Sequence, residues 1–118
     1  MVKFVNQSGT VSISNEVFTN LAGDAATKCF GVKGMVGKAK DNGLYQLLRR
    51  ESMSKGVSVS FNEADNSVNI ALHIAVDAGV NIAVLARSIM GEVSYKVSQA
   101  TGVPVRSVDV YVDSMIAG

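Results

Sequence analysis

The only histidine in the chain is the first residue to consider for chemistry, because imidazole is the most common general acid or base in enzymes. His73 lies in a run of alternating residues, 68–76, and Asp109 and Tyr111 lie in a second such run. On neighbouring strands, Asp109 could orient His73. Catalysis also needs a second reacting group and a pocket, and the residue pattern indicates neither. We therefore expect no catalytic residues, with His73 an ordinary half-exposed strand histidine.

The chain also contains a single cysteine, so it forms no internal disulfide. Cys29 falls on the apolar stripe of a predicted helix, where a lone cysteine usually behaves as a small hydrophobic residue. Zinc sites need three or four ligands at recognisable spacings, and the phosphate-binding pattern Gly-x-x-x-x-Gly-Lys-Ser/Thr is absent from the sequence. These observations predict no metal, no cofactor and a reducing, cytoplasmic location.

The segment Gly34-Met35-Val36-Gly37 permits a different hypothesis. It is flanked by lysines, and it is similar to the GXXG loop with which KH domains clamp a nucleic-acid backbone. The alternative is a glycine-rich crossing where two backbones pass closely. Residues 33–55 contain six basic and two acidic residues, and the candidate basic patch consists of Lys33, Lys38, Lys40, Arg49 and Arg50. The net charge of +1 argues against nucleic acid as the main partner.

Periodicity predicts the elements that would position these residues. Apolar residues recur at helical spacing over 82–100, with Asn81 as N-cap and Gly102 and Pro104 as the stop. A second helix is predicted after Ser14, and a short helix of about two turns over 44–51. Alternation predicts strands at 11–13, 57–61, 68–76 and 108–113, with residues 32–36 either a brief strand or a loop.

This order predicts one α+β domain over residues 1–118: a small mixed sheet with its two main helices packed on one face. The opposite face would carry small and mildly polar residues. Such a face is either solvated or an assembly surface, and both interpretations are open. The candidate interaction surface consists of Ala71, His73, Ala75, Asp109 and Tyr111.

No apolar run in the sequence reaches the length of a membrane span, and the N-terminus lacks the apolar core of a signal peptide. We therefore expect no direct membrane insertion. Any membrane association would depend on a partner.

The chain resembles the alkaline-shock-protein (Gls-like) envelope stress family of Gram-positive bacteria, and within it the YloU-like branch. The resemblance covers residues 8–116 and is most specific at Gly31-Val32-Lys33-Gly34-Met35 and over 93–112. It implies a cytoplasmic, non-enzymatic α+β protein with a role in envelope homeostasis. It also favours a strand at 32–36 over the KH-like loop.

The same resemblance implies partners. The family includes members that form oligomers and members held at the membrane by an anchoring protein, and YloU-like members often accompany fatty-acid kinase components. We therefore expect a homo-oligomer that acts as an assembly or adaptor protein in envelope stress, linked to lipid metabolism. Its partners would include a membrane-anchored protein or a fatty-acid kinase component.

Overall fold

The computed structural model describes residues 2–29, 31–38, 45–48 and 56–117. Their elements are, in chain order, β1 (Val2–Asn6), β2 (Gly9–Ile13), α1 (Asn15–Thr27), β3 (Val32–Lys38), β4 (Tyr45–Leu48), β5 (Val57–Asn62), β6 (Ser67–Asp77), α2 (Ile82–Thr101) and β7 (Val105–Ile116). The predicted α+β class is confirmed, with α1 and α2 as the two main helices.

The long helix α2 begins and ends where the sequence predicts. The side chain of Asn81 accepts a hydrogen bond of 3.1 Å from the Val84 N–H, which satisfies one of the free donors of the first turn. Gly102 adopts the left-handed conformation with φ +74° at the other end. The first helix follows Ser14, which occupies the N-cap without a side-chain cap bond.

Strand β6 is the centre of a five-stranded mixed sheet. On one side it pairs antiparallel with β5 through its first half and with β3 through its second half, and β4 pairs with β3. On the other side it pairs in parallel with β7 along almost its whole length. Helix α2 supplies the crossover that a parallel pair requires. Strands β1 and β2 form a separate antiparallel hairpin.

Both helices pack on one face of this sheet and enclose the core. Alternate residues of β6, including Ile70, Leu72 and Ile74, are almost completely buried against Phe18 of α1 and Ile89 of α2 within one hydrophobic cluster. The predicted one-sided arrangement and the predicted burial of Leu85 are therefore confirmed. Neither described helix has the length and hydrophobicity that a membrane crossing requires.

Two predictions over residues 32–51 are corrected. The expected short helix is wrong over its described part, because residues 45–48 form strand β4, with Leu47 paired to Val36. Residues 34–37 lie inside strand β3, where Gly34 pairs with Ala75 and Gly37 with Gln46. A strand so paired does not form the free loop with which a KH domain clamps a nucleic-acid backbone.

Gly31 has a structural reason for being glycine. It connects α1 to β3 with φ +99°, a conformation that other residues rarely adopt. A Cβ here would also lie 3.0 Å from the Val80 side chain and 3.4 Å from that of Leu85. Its carbonyl accepts a hydrogen bond of 2.8 Å from the Asp77 N–H, which ties the connection to the end of β6.

Candidate functional site

The helix-free face of the sheet displays a row of side chains along the β6–β7 pair. The parallel register places Asn69 beside Ser107, Ala71 beside Asp109, and His73 beside Tyr111. The Ser107 hydroxyl donates a hydrogen bond of 3.0 Å to the Asn69 side-chain oxygen. Because alternate residues of a strand point to opposite faces, the same alternation that buries the core valines exposes this row.

Two residues of this row and a third from β7 form a fixed group, here called the His73 cluster: His73, Tyr111 and Asp113. The imidazole and phenol rings are stacked, with centroids 4.8 Å apart and planes inclined by 13°. The distance between His73 Nδ1 and Asp113 Oδ2 is 2.8 Å, so the imidazole donates a hydrogen bond to the carboxylate. Tyr111 is 49% exposed, whereas 14% of the Asp113 side chain is exposed.

The carboxylate beside His73 is Asp113, and the hypothesis that Asp109 orients His73 is wrong. Asp109 lies opposite Ala71, two residue pairs before the pair of His73 and Tyr111. A register shift falls between the pairs Ile74–Val112 and Ala75–Ser114, so that Asp113 is an extra residue in β7. Such a bulge re-aims a side chain. The alternation of Asp109, Tyr111 and Asp113 in the sequence signals the shared face, but it does not reveal the bulge.

The hydrogen bond to Asp113 occupies one of the two nitrogens of the His73 imidazole. With Nδ1 bonded to Asp113, Nε2 has no hydrogen-bond partner within the described residues. No described serine or cysteine is hydrogen-bonded to the imidazole, as an activated nucleophile would be. The described residues also contain no group of three His, Cys, Asp or Glu side chains that could hold a metal ion. What the cluster offers is a rigid, half-exposed aromatic and polar surface.

A shallow depression of about 150 Å³ adjoins the cluster on the side of β5. Its lining is mixed: small, polar and acidic residues lie beside two apolar ones, the whole set being Ser58, Val59, Ser60, Asn69, Ile70, Ala71 and Asp109. Small side chains let another surface approach the strands closely. The depression and the His73 cluster together make up the candidate interaction site.

Most residues of the predicted interaction surface lie close together in the structure. His73 and Tyr111 are in contact, Ala71 lies two residues before His73 on the same strand, and Asp109 is exposed beside Ala71. Ala75 differs, because it is fully buried and outside the helix-side core cluster. It therefore contributes no exposed surface.

The candidate basic patch is only partly within the described residues. Lys33 is the second residue of β3, and its ammonium group is 3.0 Å from the Asp77 carboxylate. The backbone of Lys38 belongs to β3. Lys40, Arg49 and Arg50 lie outside the described residues.

Cys29 lies two residues beyond the end of α1 and packs against the core as a partly buried side chain. Its thiol donates a hydrogen bond of 3.5 Å to the Ala25 carbonyl. Burial raises the pKa of the Cys29 thiol, and the negative charge of Glu92 raises it further. A side-chain hydrogen bond with Ser88 lowers the pKa but does not cancel these two effects. A raised pKa disfavours the thiolate, so Cys29 is a poor nucleophile.

The comparison with protein families gives one match over almost the whole chain. The model of the alkaline shock protein 23 family, described as having a cell envelope-related function, matches residues 3–117.

Two curated relatives are also similar. The uncharacterized protein YloU of Bacillus subtilis is 37% identical over 108 residues, covering 91% of this chain and 88% of YloU. The uncharacterized protein Spy1614 of Streptococcus pyogenes serotype M6 is 31% identical over 116 residues, covering 97% of this chain and 93% of the relative.

Among solved structures, one match is a zinc form of a variant MamM C-terminal domain. The alignment covers 88% of this chain and 86% of the MamM chain. The TM-score is 0.49 and the sequence identity is 17%, values at which the similarity supports no conclusion.

Proposed function

The chain belongs to the alkaline shock protein 23 family, whose function is related to the cell envelope, and from this premise we propose that it is a non-enzymatic assembly and adaptor protein. It acts through self-association and through protein contacts made by the candidate interaction site. The observation that carries the proposal is the His73 cluster on the helix-free face of the sheet.

The cluster has the physical properties of a contact surface. Tyrosine is among the residues that contribute most to binding energy at interfaces, because it buries a large area and loses few rotatable bonds. Here the ring of Tyr111 is already held by stacking on His73, and His73 is held by Asp113. A partner that packs on Tyr111 therefore has little side-chain entropy to overcome.

The neighbouring depression favours a protein partner. It is open and shallow, about 150 Å³, whereas sites for small molecules are usually deeper and larger. The hydroxyl groups of Ser58 and Ser60 and the carboxylate of Asp109 provide hydrogen-bonding groups beside the apolar part of its lining. This is the composition of an interface rim around an aromatic centre.

The test compares two arginine substitutions in cells and in solution. Ala71→Arg places a bulky charge in the middle of the site, whereas Gln99→Arg adds the same group to the exposed side of α2. We expect wild type and Gln99→Arg to self-associate in sedimentation velocity and to restore a deletion strain under envelope stress. Ala71→Arg should fail to restore the strain, because it blocks the protein contact at this site, while keeping the wild-type thermal midpoint.

A wild-type protein that stays monomeric at all concentrations, or an Ala71→Arg variant that restores the strain fully, would overturn the proposal. The membrane-anchored partner and the fatty-acid kinase component stay predictions that rest on the family resemblance.

A further inference from the structure

We propose that two copies of this chain join through the free edges of their β7 strands, antiparallel, with Val110 of each copy facing Val110 of the other. The inference rests on the proposed function and specifies how self-association occurs. It turns two five-stranded sheets into one continuous sheet with the four main helices on the same face.

The first observation is the open edge itself. Strand β7 has twelve residues and pairs with β6 on one side. Within the described residues no strand pairs with its other side. About half of the residues of such a strand direct their backbone N–H and C=O groups outward, which makes the edge a template for another strand.

The second observation concerns the features that normally prevent an edge strand from pairing with another chain. Lysine and proline are absent from residues 105–116. Register shifts mark two extra residues in the strand, Arg106 near its start and Asp113 three residues before its end. A bulge bends the strand and interrupts its regular ladder, so the regular stretch that an edge-to-edge contact can use is residues 107–112. This is a short zone that suits a defined contact between two copies.

The sequence of this zone selects one register. Facing residues must lie on the same face of the joined sheet, so core-side valines must face each other. Only registers centred on Asp109 or on Val110 keep five regular residues of each copy in the ladder. The register centred on Asp109 places the Asp109 carboxylates of the two copies directly opposite each other, and like charges so placed are destabilising. The second pairs Val108 with Val112, Asp109 with Tyr111, and Val110 with itself.

The chosen register also covers apolar surface on the helix side. Val110 and Val112 pack against the core and are only partly buried at its rim. A groove of about 190 Å³ lies between α2 and β7, lined by Met90, Ser94, Val105, Arg106, Ser107 and Val108. Because Val112 of the second copy faces Val108, it lies at this groove beside the 39% exposed Met90. The joined sheet thus extends the core of each copy across the edge.

The experiment uses charge at Tyr111, which faces Asp109 of the second copy. Tyr111→Glu places a glutamate opposite Asp109 of the other copy, twice in each dimer. This repulsion should raise the dimer dissociation constant about tenfold or more. Tyr111→Lys removes the same ring but forms opposite-charge pairs, so its dissociation constant should stay within about threefold of wild type. Asp109→Lys added to Tyr111→Glu swaps the pair and should restore dimerisation.

Sedimentation velocity over a concentration series measures these constants, and circular dichroism checks that each variant is folded. Equal losses for Tyr111→Glu and Tyr111→Lys, or a double variant no better than Tyr111→Glu, would overturn the register. Hydrogen exchange measures the backbone directly. The amides of residues 107–112 should become more protected as protein concentration rises.

The outcomes separate this inference from the proposed function. A wild-type chain that self-associates with no concentration-dependent protection of residues 107–112 overturns the β7 edge and leaves the assembly proposal standing. A wild-type chain that stays monomeric overturns both.

Discussion

The two faces of strand β6 show how one backbone supports two different kinds of surface. On the helix side, Ile70, Leu72 and Ile74 are at most 1% exposed and belong to the main core. On the other side, Ala71 is partly exposed, and 36% of the His73 side chain is exposed. The residues alternate along the same strand, so the difference comes from what packs on each face.

The comparison teaches that order and burial are separate properties. The His73 cluster is held in place by a ring stack and a hydrogen bond without being covered by helices. The helix-side residues are held by close packing alone. We therefore expect substitutions on the helix side to change stability, and substitutions on the other side to change association.

The largest effect is expected at the centre of the helix side. Leu72→Ala should lower the free energy of unfolding by about 2–5 kcal/mol, because it removes buried methyl groups and leaves a cavity. The neighbouring Ala71→Ser should change it by less than about 0.5 kcal/mol, because that position is partly exposed. Urea denaturation measures both values. Similar losses for the two variants would contradict the contrast between the faces.

The reactivity of Cys29 tests how well the helix layer excludes solvent. Because burial and the charge of Glu92 raise the pKa of the thiol, its reaction with a disulfide reagent should be roughly several-fold slower in the native chain than in the denatured chain at pH 8. The rate should rise as pH increases. Stability should fall over the same range, since the unfolded thiol ionises at lower pH than the folded one. A native rate equal to the denatured rate would place Cys29 in open solvent.

The smallest effect is expected within the His73 cluster. A double-mutant cycle of His73→Ala and Asp113→Ala should give a coupling free energy of about 1 kcal/mol or less, because His73 is partly exposed to water. The exposed pair of Lys28 and Asp24 on α1 serves as a control, with an expected coupling of about 0.3–0.5 kcal/mol. A coupling well above 2 kcal/mol would show that the helix-free face is not solvated.

Most of the fold could be predicted from local pattern. The spacing of Leu85, Ile89 and Val93 predicts α2, and the caps at Asn81 and Gly102 set its ends. The alternation in β6 predicts both the strand and its buried face. The hairpin of β1 and β2 was predicted only in its second strand, although Val2 and Phe4 show the same alternation.

The candidate site could be predicted in its composition but not in its geometry. The pattern of the two strands places His73, Asp109 and Tyr111 on one face. Which carboxylate meets the imidazole depends on the bulge at Asp113, and that depends on pairing with a strand forty residues earlier in the chain.

By itself the sequence determined the elements whose signals are local, because helix and strand periods, caps and turn residues act within a few positions. The tertiary structure alone decided features that depend on distant partners. Residues 45–48 lie in a segment with the apolar spacing of a helix, yet they pair with β3, because the hydrogen bonds of strand pairing outweigh local preference. The contact of His73 with Asp113, the parallel register of β6 and β7 and the open edge of β7 likewise exist only once strands from separate parts of the chain meet.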